Sequence, residues 1–390
     1  MGQVGTRSRL VAWWKRRRRR LLRLWAIGVG ASLVITTVSA TGYFETNQAK
    51  ALDLLLQMRG QSLASDVVVV AIDDAAFRSL GQRQPLARDY IARVVRGARR
   101  AGAAAVALDI SFATASPSDR ALADAIVEFS EGGLSRVVLT PDTPPDGPLA
   151  QLPSRIRVLR GSPDVPEDND GLVRRTALLV PGEKGAARPS LALALVARVA
   201  GTTPEDMGRR FGAAPGRLVH VNFVGPAKTF LTIPSDVVAA LADETIEAPR
   251  DNPLRDRAVL VGGTFRESRD FLLTAHGSMP GVEVHANIAH MLLTGAFIRP
   301  AGWALGLAIQ IVAVLIAGVV MVTTSLTVSA IVCSVAPLVL AIPASFLVFN
   351  SGGYWVDFVL PVVATRLLGA AATRVERRRV QRAFGRYISK

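Results

Sequence analysis

Hydrophobic positions along this chain follow two regimes. Long stretches near both ends are apolar all round, whereas residues 45–300 alternate short aliphatic runs with amphipathic ones. Leu24 to Tyr43 carries no charge and is long enough for one membrane span. Between Ala301 and Phe349, 49 residues hold no ionisable side chain except Cys333. As one helix that run would extend ~74 Å, against a hydrocarbon layer of ~30 Å, so it predicts two spans. They are placed at 302–322 and 326–349, joined at the polar cluster Thr323, Thr324, Ser325 and Thr327. Residues 354–373, after Gly352 and Gly353, give a fourth span.

The middle region reads as an α/β domain with a mainly parallel sheet. Val67 to Ile72, the run VVVVAI, is a β-branched block of the kind buried on both faces. Asp89 to Ala101 then places Ile91, Val94, Val95 and Ala98 on one helical stripe, Gly102 ends the helix, and Ala103 to Ile110 forms the next strand. This is a βαβ unit, for which a parallel crossover is expected. Further strands are predicted at 136–140, 177–181, 218–223 and 258–261, with helices at 190–200, 235–241 and 282–294. Ser235 is expected to cap the second of these helices. The Pro- and Asp-rich residues 141–170 read as loop.

Charge decides the orientation. The chain is 50% hydrophobic yet carries a net charge of +15, which by itself suggests nucleic acid. All of that excess is terminal: nine basic and no acidic residues lie in 1–23, and seven basic with one acidic in 374–390. Basic clusters abutting apolar runs mark the cytoplasmic side of a bilayer, so a nucleic-acid partner is excluded and both termini are expected in the cytoplasm. The expected organisation is a basic tail (1–23), a span (24–43), an extracytoplasmic domain (45–300), spans at 302–322, 326–349 and 354–373, and a cytoplasmic linker (374–390). A cleaved signal peptide competes for the first span, because Val38, Ser39 and Ala40 are small, but its apolar core is longer than usual for one. Cys333 is the single cysteine, so no intrachain disulfide supports the outer domain. Arg366 falls within the last predicted span, ~12 Å along the helix from Arg374, and is expected to face other helices or a dimer partner.

Candidate chemistry is sparse. Asp73, Asp74, Asp109 and Asp270 follow predicted strands, and ligands of open α/β sheets bind beyond the carboxyl ends of strands. A metal-dependent hydrolase using Asp73, Asp109 and Asp270 is one reading; helix and turn capping by the same residues is the favoured one. The segment Glu167 to Gly171 resembles part of a calcium loop but lacks the closing Glu. His285 and His290 are five apart, about 140° around a helix, and make poor joint ligands. Gly262 and Gly263 suggest a small anion nest without a supporting lysine. Nothing in the spacing demands a reaction or a cofactor.

Several segments resemble the type-2 CHASE domain, an extracellular sensory module of bacterial receptors. They include VVVVAIDDAAF from Val67, Pro85-Leu86-Ala87-Arg88, ALDISF from Ala107, Asp168-Asn169-Asp170-Gly171, VLVGGTF from Val259 to Asp270 beyond it, and Pro280-Gly281-Val282-Glu283-Val284-His285-Ala286-Asn287. Gln84 and Leu86 stand where aromatic residues are usual in the family. The resemblance implies a sensory receptor in a bacterial inner membrane, with an unidentified extracytoplasmic ligand and a homodimeric assembly. Val380 to Lys390 is similar to the linker preceding adenylate or guanylate cyclase domains, so a cytoplasmic effector is implied, while no catalytic domain fits within the chain. Candidate ligand contacts are Asp73, Asp74, Arg88, Asp109, Asp170 and Asp270; candidate signal-transmitting residues are Arg366, Arg374, Phe384 and Tyr387.

Overall fold

The computed structural model describes residues 3–141, 148–182, 187–249 and 251–388. The chain divides into two compact units, Arg59–Ile298 and the combination of Met1–Met58 with Arg299–Lys390.

In chain order the elements begin with α1 (Gln3–Ser39) and α2 (Glu45–Arg59), followed by β1 (Val67–Ile72), α3 (Asp74–Ser79), α4 (Arg88–Arg100) and β2 (Ala105–Asp109). Next come α5 (Asp119–Glu128), β3 (Ser130–Glu131), β4 (Leu134–Leu139), β5 (Arg157–Arg160), β6 (Leu172–Val173), β7 (Arg175–Ala177), β8 (Leu179–Pro181) and β9 (Ala187–Pro189). Then α6 (Leu191–Val199), α7 (Pro204–Arg210), β10 (Leu218–His220), β11 (Leu231–Pro234), α8 (Ser235–Ala240) and β12 (Ala258–Gly263) follow. The chain continues through β13 (Phe271–Thr274), β14 (Gly277–Pro280), α9 (Gly281–Thr294), β15 (Arg299–Pro300), α10 (Trp303–Thr323), α11 (Leu326–Gly352), β16 (Tyr354–Trp355) and α12 (Val359–Ile388).

The first unit is built on a seven-stranded sheet in the order β11-β1-β12-β2-β4-β3, with β5 also paired to β4. Its pairings are parallel except for β3 on β4. The sheet is covered on both sides. Helices α3, α4, α5 and α8 form one layer, whose apolar stripe packs on alternate residues of the sheet such as Val68, Val70, Ile72, Val106, Leu108, Val259 and Val261. Helices α6 and α9 pack on the opposite face. Every residue of β1 is buried, as the continuous aliphatic run requires.

Close helix packing rests on one glycine. A Cβ on Gly97 of α4 would lie 1.8 Å from the Val238 carbonyl oxygen of α8. Helix starts are fixed by side chains: Asp73 accepts from the Ala76 N–H at 2.8 Å, Ser190 from Leu193 at 3.2 Å and Thr203 from Asp206 at 3.1 Å. Ser235 departs from expectation. Pro234 occupies the cap position of α8, and the buried Ser235 hydroxyl instead meets the Tyr90 hydroxyl at 2.6 Å. Elements missed in the sequence include two longer helices, α2 and α5, the second packing on α4 with Leu122 and Ile126 fully buried; the others are short or peripheral. β11 ends in a proline at the sheet edge, β5 lies inside the expected loop, and β13 and β14 form a small hairpin beside β6.

In the other unit α1, α10, α11 and α12 pack together around Leu24, Val314, Met321, Cys333, Ala364 and Leu368. Small residues allow the contact between α1 and α10: a Cβ on Gly318 would meet the Trp25 ring at 2.7 Å, and one on Gly28 would meet Val314 at 3.0 Å. Two polar bonds join the same helices, from Trp25 Nε1 to the Leu315 carbonyl at 2.9 Å and from Gln310 Nε2 to Thr36 Oγ1 at 3.1 Å. Among the described residues three helices are long and apolar enough to cross a membrane, at Arg17–Ser39, Trp303–Thr323 and Thr327–Gly352. The segment 354–373 differs from its prediction. It opens with the short strand β16, and α12 starts only at Val359 and runs on through the arginine-rich end.

Gly97→Ala is expected to destabilise the chain by about 1–3 kcal/mol or more, since a main-chain oxygen cannot yield to the added methyl. Thermal unfolding of the purified protein checks this, with Gly30→Ala, a helical position where a Cβ meets nothing within 4 Å, as the control for the gain in helix propensity that both changes share.

Candidate functional site

The parallel register brings the carboxyl ends of β2 and β12 together, and Asp109, the last residue of β2, lies beside Gly262. Beyond these ends opens a cleft of about 720 Å³. Its polar contributors are Asp109, Asp270, Gln84 and the hydroxyls of Ser111, Thr114, Thr140 and Ser268; its apolar walls include Pro85, Leu86, Ile110, Pro163 and Phe265. Among the described residues that line it, none is basic. Phe265 is held by stacking on Phe77, with ring centroids 4.1 Å apart and planes 12° from parallel.

Glycines allow the two carboxylates to approach. A Cβ on Gly262 would stand 2.7 Å from Val282 Cβ of α9 and 3.3 Å from Asp109 Cβ, so only glycine lets the helix start come this near the strand. A Cβ on Gly281, the first residue of α9, would fall 2.4 Å from an Asp270 oxygen. The Asp270 carboxylate therefore lies against the start of a 14-residue helix, where the macrodipole favours negative charge. Deeper in α9, Asn287 accepts the Val224 N–H at 2.9 Å and Glu283 accepts the Lys228 N–H at 2.6 Å, pinning the adjoining loop. The Pro280 to Asn287 motif thus joins a loop anchor to the wall of the cleft.

The electrostatics are unusual. Asp109 Oδ2 is out of reach of solvent and makes no hydrogen bond. Burial raises this carboxyl from its ordinary value of 3.8 to about 7. Burial, and then the nearby Asp109, raise Asp270 as well, while His285 lowers it. His285 is itself 2% exposed, its Nδ1 lacks a partner, and burial pushes it down to about 4 against the pull of Asp270.

The remaining candidates serve other purposes. Asp73 caps α3, and Asp74 accepts the Arg266 N–H at 3.1 Å, which fastens the loop carrying Phe265. Arg88 is fully buried and pairs with Asp119 at 3.3 Å while lying over the Phe112 ring at 4.6 Å. It also donates to the carbonyls of Leu86 and Thr114, two cleft residues, and so holds the wall in place. Asp170 lies outside the cleft and makes a forked pair with Arg174 at 2.8 and 2.9 Å, which holds its carboxyl down at about 2. Asp168 engages Arg174 and Arg175, so arginines pair with the carboxylates of this acidic turn. Of the three carboxylates considered for hydrolysis, only Asp109 and Asp270 meet. No group of three or more His, Cys, Asp or Glu suited to a metal occurs among the described residues.

Phe265 was missed because it gains meaning only from what surrounds it; Gln84 stands out in the sequence only as a departure from the family pattern and His285 only as a poor metal ligand. In the helical unit Arg366 and Arg374 share a groove of about 530 Å³ with Arg377, Cys333, Ser334 and Thr373. The side chains of Phe384 and Tyr387 lie outside the described residues.

An α/β domain with a cleft at its strand ends, in a chain with three helices of membrane length among the described residues, marks a membrane protein. Residues 30–323 match the CHASE2 domain family, and the chain belongs to it; this is a family of extracellular sensory domains. Comparison with curated proteins and with solved structures gave no match.

The raised Asp109 has a definite consequence for stability. Because its folded value exceeds the unfolded one, its contribution is fully present below pH 3.8 and is lost as pH climbs toward about 7. Asp109→Asn should therefore stabilise the protein near pH 8, by at most about 4 kcal/mol, and change little near pH 4. Thermal melts of both proteins across this range measure the difference; a constant offset at every pH contradicts the assignment.

Proposed function

We propose that this chain is a transmembrane sensory receptor of a bacterial inner membrane. Residues 45–300 face the extracytoplasmic side and four helices cross the bilayer, α12 being the fourth. Both termini are cytoplasmic. A ligand entering the cleft biases the domain, and α12 carries the change inward to an effector, of which an adenylate or guanylate cyclase is the favoured kind. Two chains act together, so that rotation or displacement of paired α12 helices transmits the signal, with Arg366 and Arg374 on the transmitting helix.

One observation carries this reading: a CHASE2 domain contains an open cleft with an unpartnered buried carboxylate, in a chain that also holds three helices of spanning length. The charge pattern supports the orientation, since both basic clusters flank apolar helices. The hydrolase reading has no comparable support, because Asp73 is committed to capping.

Two measurements test the proposal. Reporter fusions at Gly216 should be active only outside the cytoplasm, and fusions after Lys390 only within it. In a Cys333→Ala background, single cysteines along 374–387 should cross-link on one helical face between copies, and Ala113→Trp, which fills the cleft, should alter that pattern. A cytoplasmic Gly216, or cross-linking indifferent to the cleft, removes the receptor reading.

A further inference from the structure

Among the described residues that line it, the cleft holds two carboxylates and no basic side chain. Asp109 lines it with a partly exposed side chain whose Oδ2 is shut from solvent and has no donor, so a ligand meets that oxygen only when the carboxylate turns, and Asp270 stands open to the same space. A buried carboxylate without a partner is expensive, and native structures keep one chiefly where something else completes it. Arg88 is paired to Asp119, and Arg269 lines a neighbouring groove together with Glu267. His285, on α9 beside Asp270, is kept neutral by burial, and Asp164 accepts from the Ser162 hydroxyl at 2.6 Å.

We propose that the cleft binds a small organic molecule carrying a protonated primary amine, with the ammonium group between Asp109 and Asp270. This rests on the sensory reading of the same cleft and gives its ligand a chemical class. An ammonium has three donors, and the cleft supplies two carboxylates and several hydroxyls to receive them. The volume of about 720 Å³ suits a molecule of several heavy atoms and is far larger than a bare ion needs. Pro85, Leu86, Ile110 and the edge of the fixed Phe265 ring offer its carbon body an apolar seat. A divalent metal is disfavoured by the ligand set, which contains only two carboxylates and no third His, Cys, Asp or Glu among the described residues.

Proton linkage follows from the same geometry. Among the described residues, the charged and titratable groups around the site are Asp109 on β2, Asp270 before β13, His285 on α9 and Asp164 beyond β5, with Glu267 and Arg269 in the adjoining groove. Burial holds Asp109 largely protonated below about pH 7, so ammonium binding there must expel its proton.

The test uses the full chain in phosphatidylcholine nanodiscs, whose neutral surface does not itself collect amines. Benzylamine, phenethylamine, 2-aminoethanol and 1,4-diaminobutane are titrated calorimetrically, with benzyl alcohol, phenethyl alcohol, magnesium and calcium as comparisons. Saturable binding by at least one amine is expected, with its alcohol analogue at least about tenfold weaker. Asp109→Asn and Asp270→Asn should each weaken the amine by about tenfold or more. Phe265→Leu should weaken it less. Near pH 6 the binding heat should depend on buffer ionisation enthalpy in the sense of proton release. The inference is overturned if no amine of the panel binds saturably, if alcohols bind equally, if Asp109→Asn leaves affinity unchanged in a folded protein, or if calcium binds stoichiometrically and displaces the amine. Amine binding without any change in α12 cross-linking would leave this site standing and remove the receptor reading. A cross-linking response to cleft filling without amine binding would do the reverse.

Discussion

Strand β1 is buried along its whole length, and a strand covered on both faces accommodates a carboxylate only where it ends. The same constraint governs β2, whose first four residues are buried and whose fifth is Asp109. Helices on both faces leave the strand ends as the place where polar groups can gather, and the parallel register sets several such ends side by side. The cleft is thus a consequence of how the sheet is covered. Arg88 and Asp119 show the exception, a charge pair carried into the interior because each satisfies the other and Phe112 covers the guanidinium.

At those strand ends the structure trades stability for an unfilled valence. Asp109 is held against Gly262 with one oxygen unsatisfied, and Asp270 is held against Gly281 a short way off. The two glycines act differently: a Cβ on Gly262 would meet Val282 of α9, whereas one on Gly281 would displace the Asp270 carboxylate. The motifs beginning at Ala107, Val259 and Pro280 are far apart in sequence, yet each contributes one side of this arrangement. Glu283 and Asn287 complete the frame by binding loop backbone, so the start of α9 is positioned from two directions.

In the helical unit the corresponding constraint is close approach. Gly318 gives the Trp25 ring a place to lie, and the indole N–H then reaches the Leu315 carbonyl. Between apolar helices, where solvent exclusion contributes little, such packing and a few interhelical hydrogen bonds provide specificity. Arg366, Arg374 and Arg377 line one groove, so the arginine that looked isolated in the sequence shares its face of α12 with others at helical spacing.

Sequence alone determined the classes of segment. Uninterrupted apolar runs, basic clusters at their margins, the VVVVAI strand and the following amphipathic helix are local patterns whose meaning depends on hydropathy and periodicity. Asp109 and Asp270 were legible as residues after strands, and the family resemblance was legible in motifs. What only the tertiary structure decided is which carboxylates share a space and which are already satisfied. Asp73, Asp74, Arg88 and Asp170 look alike in the chain as charged candidates, but a cap, a loop tie, a buried pair and an arginine fork each occupy them. The need for Gly97, Gly262 and Gly281, and the orphaned state of Asp109, depend on atoms contributed by distant segments. Partnership of a charge is a property of the space around it, and that space exists only after the strands are paired and the helices packed.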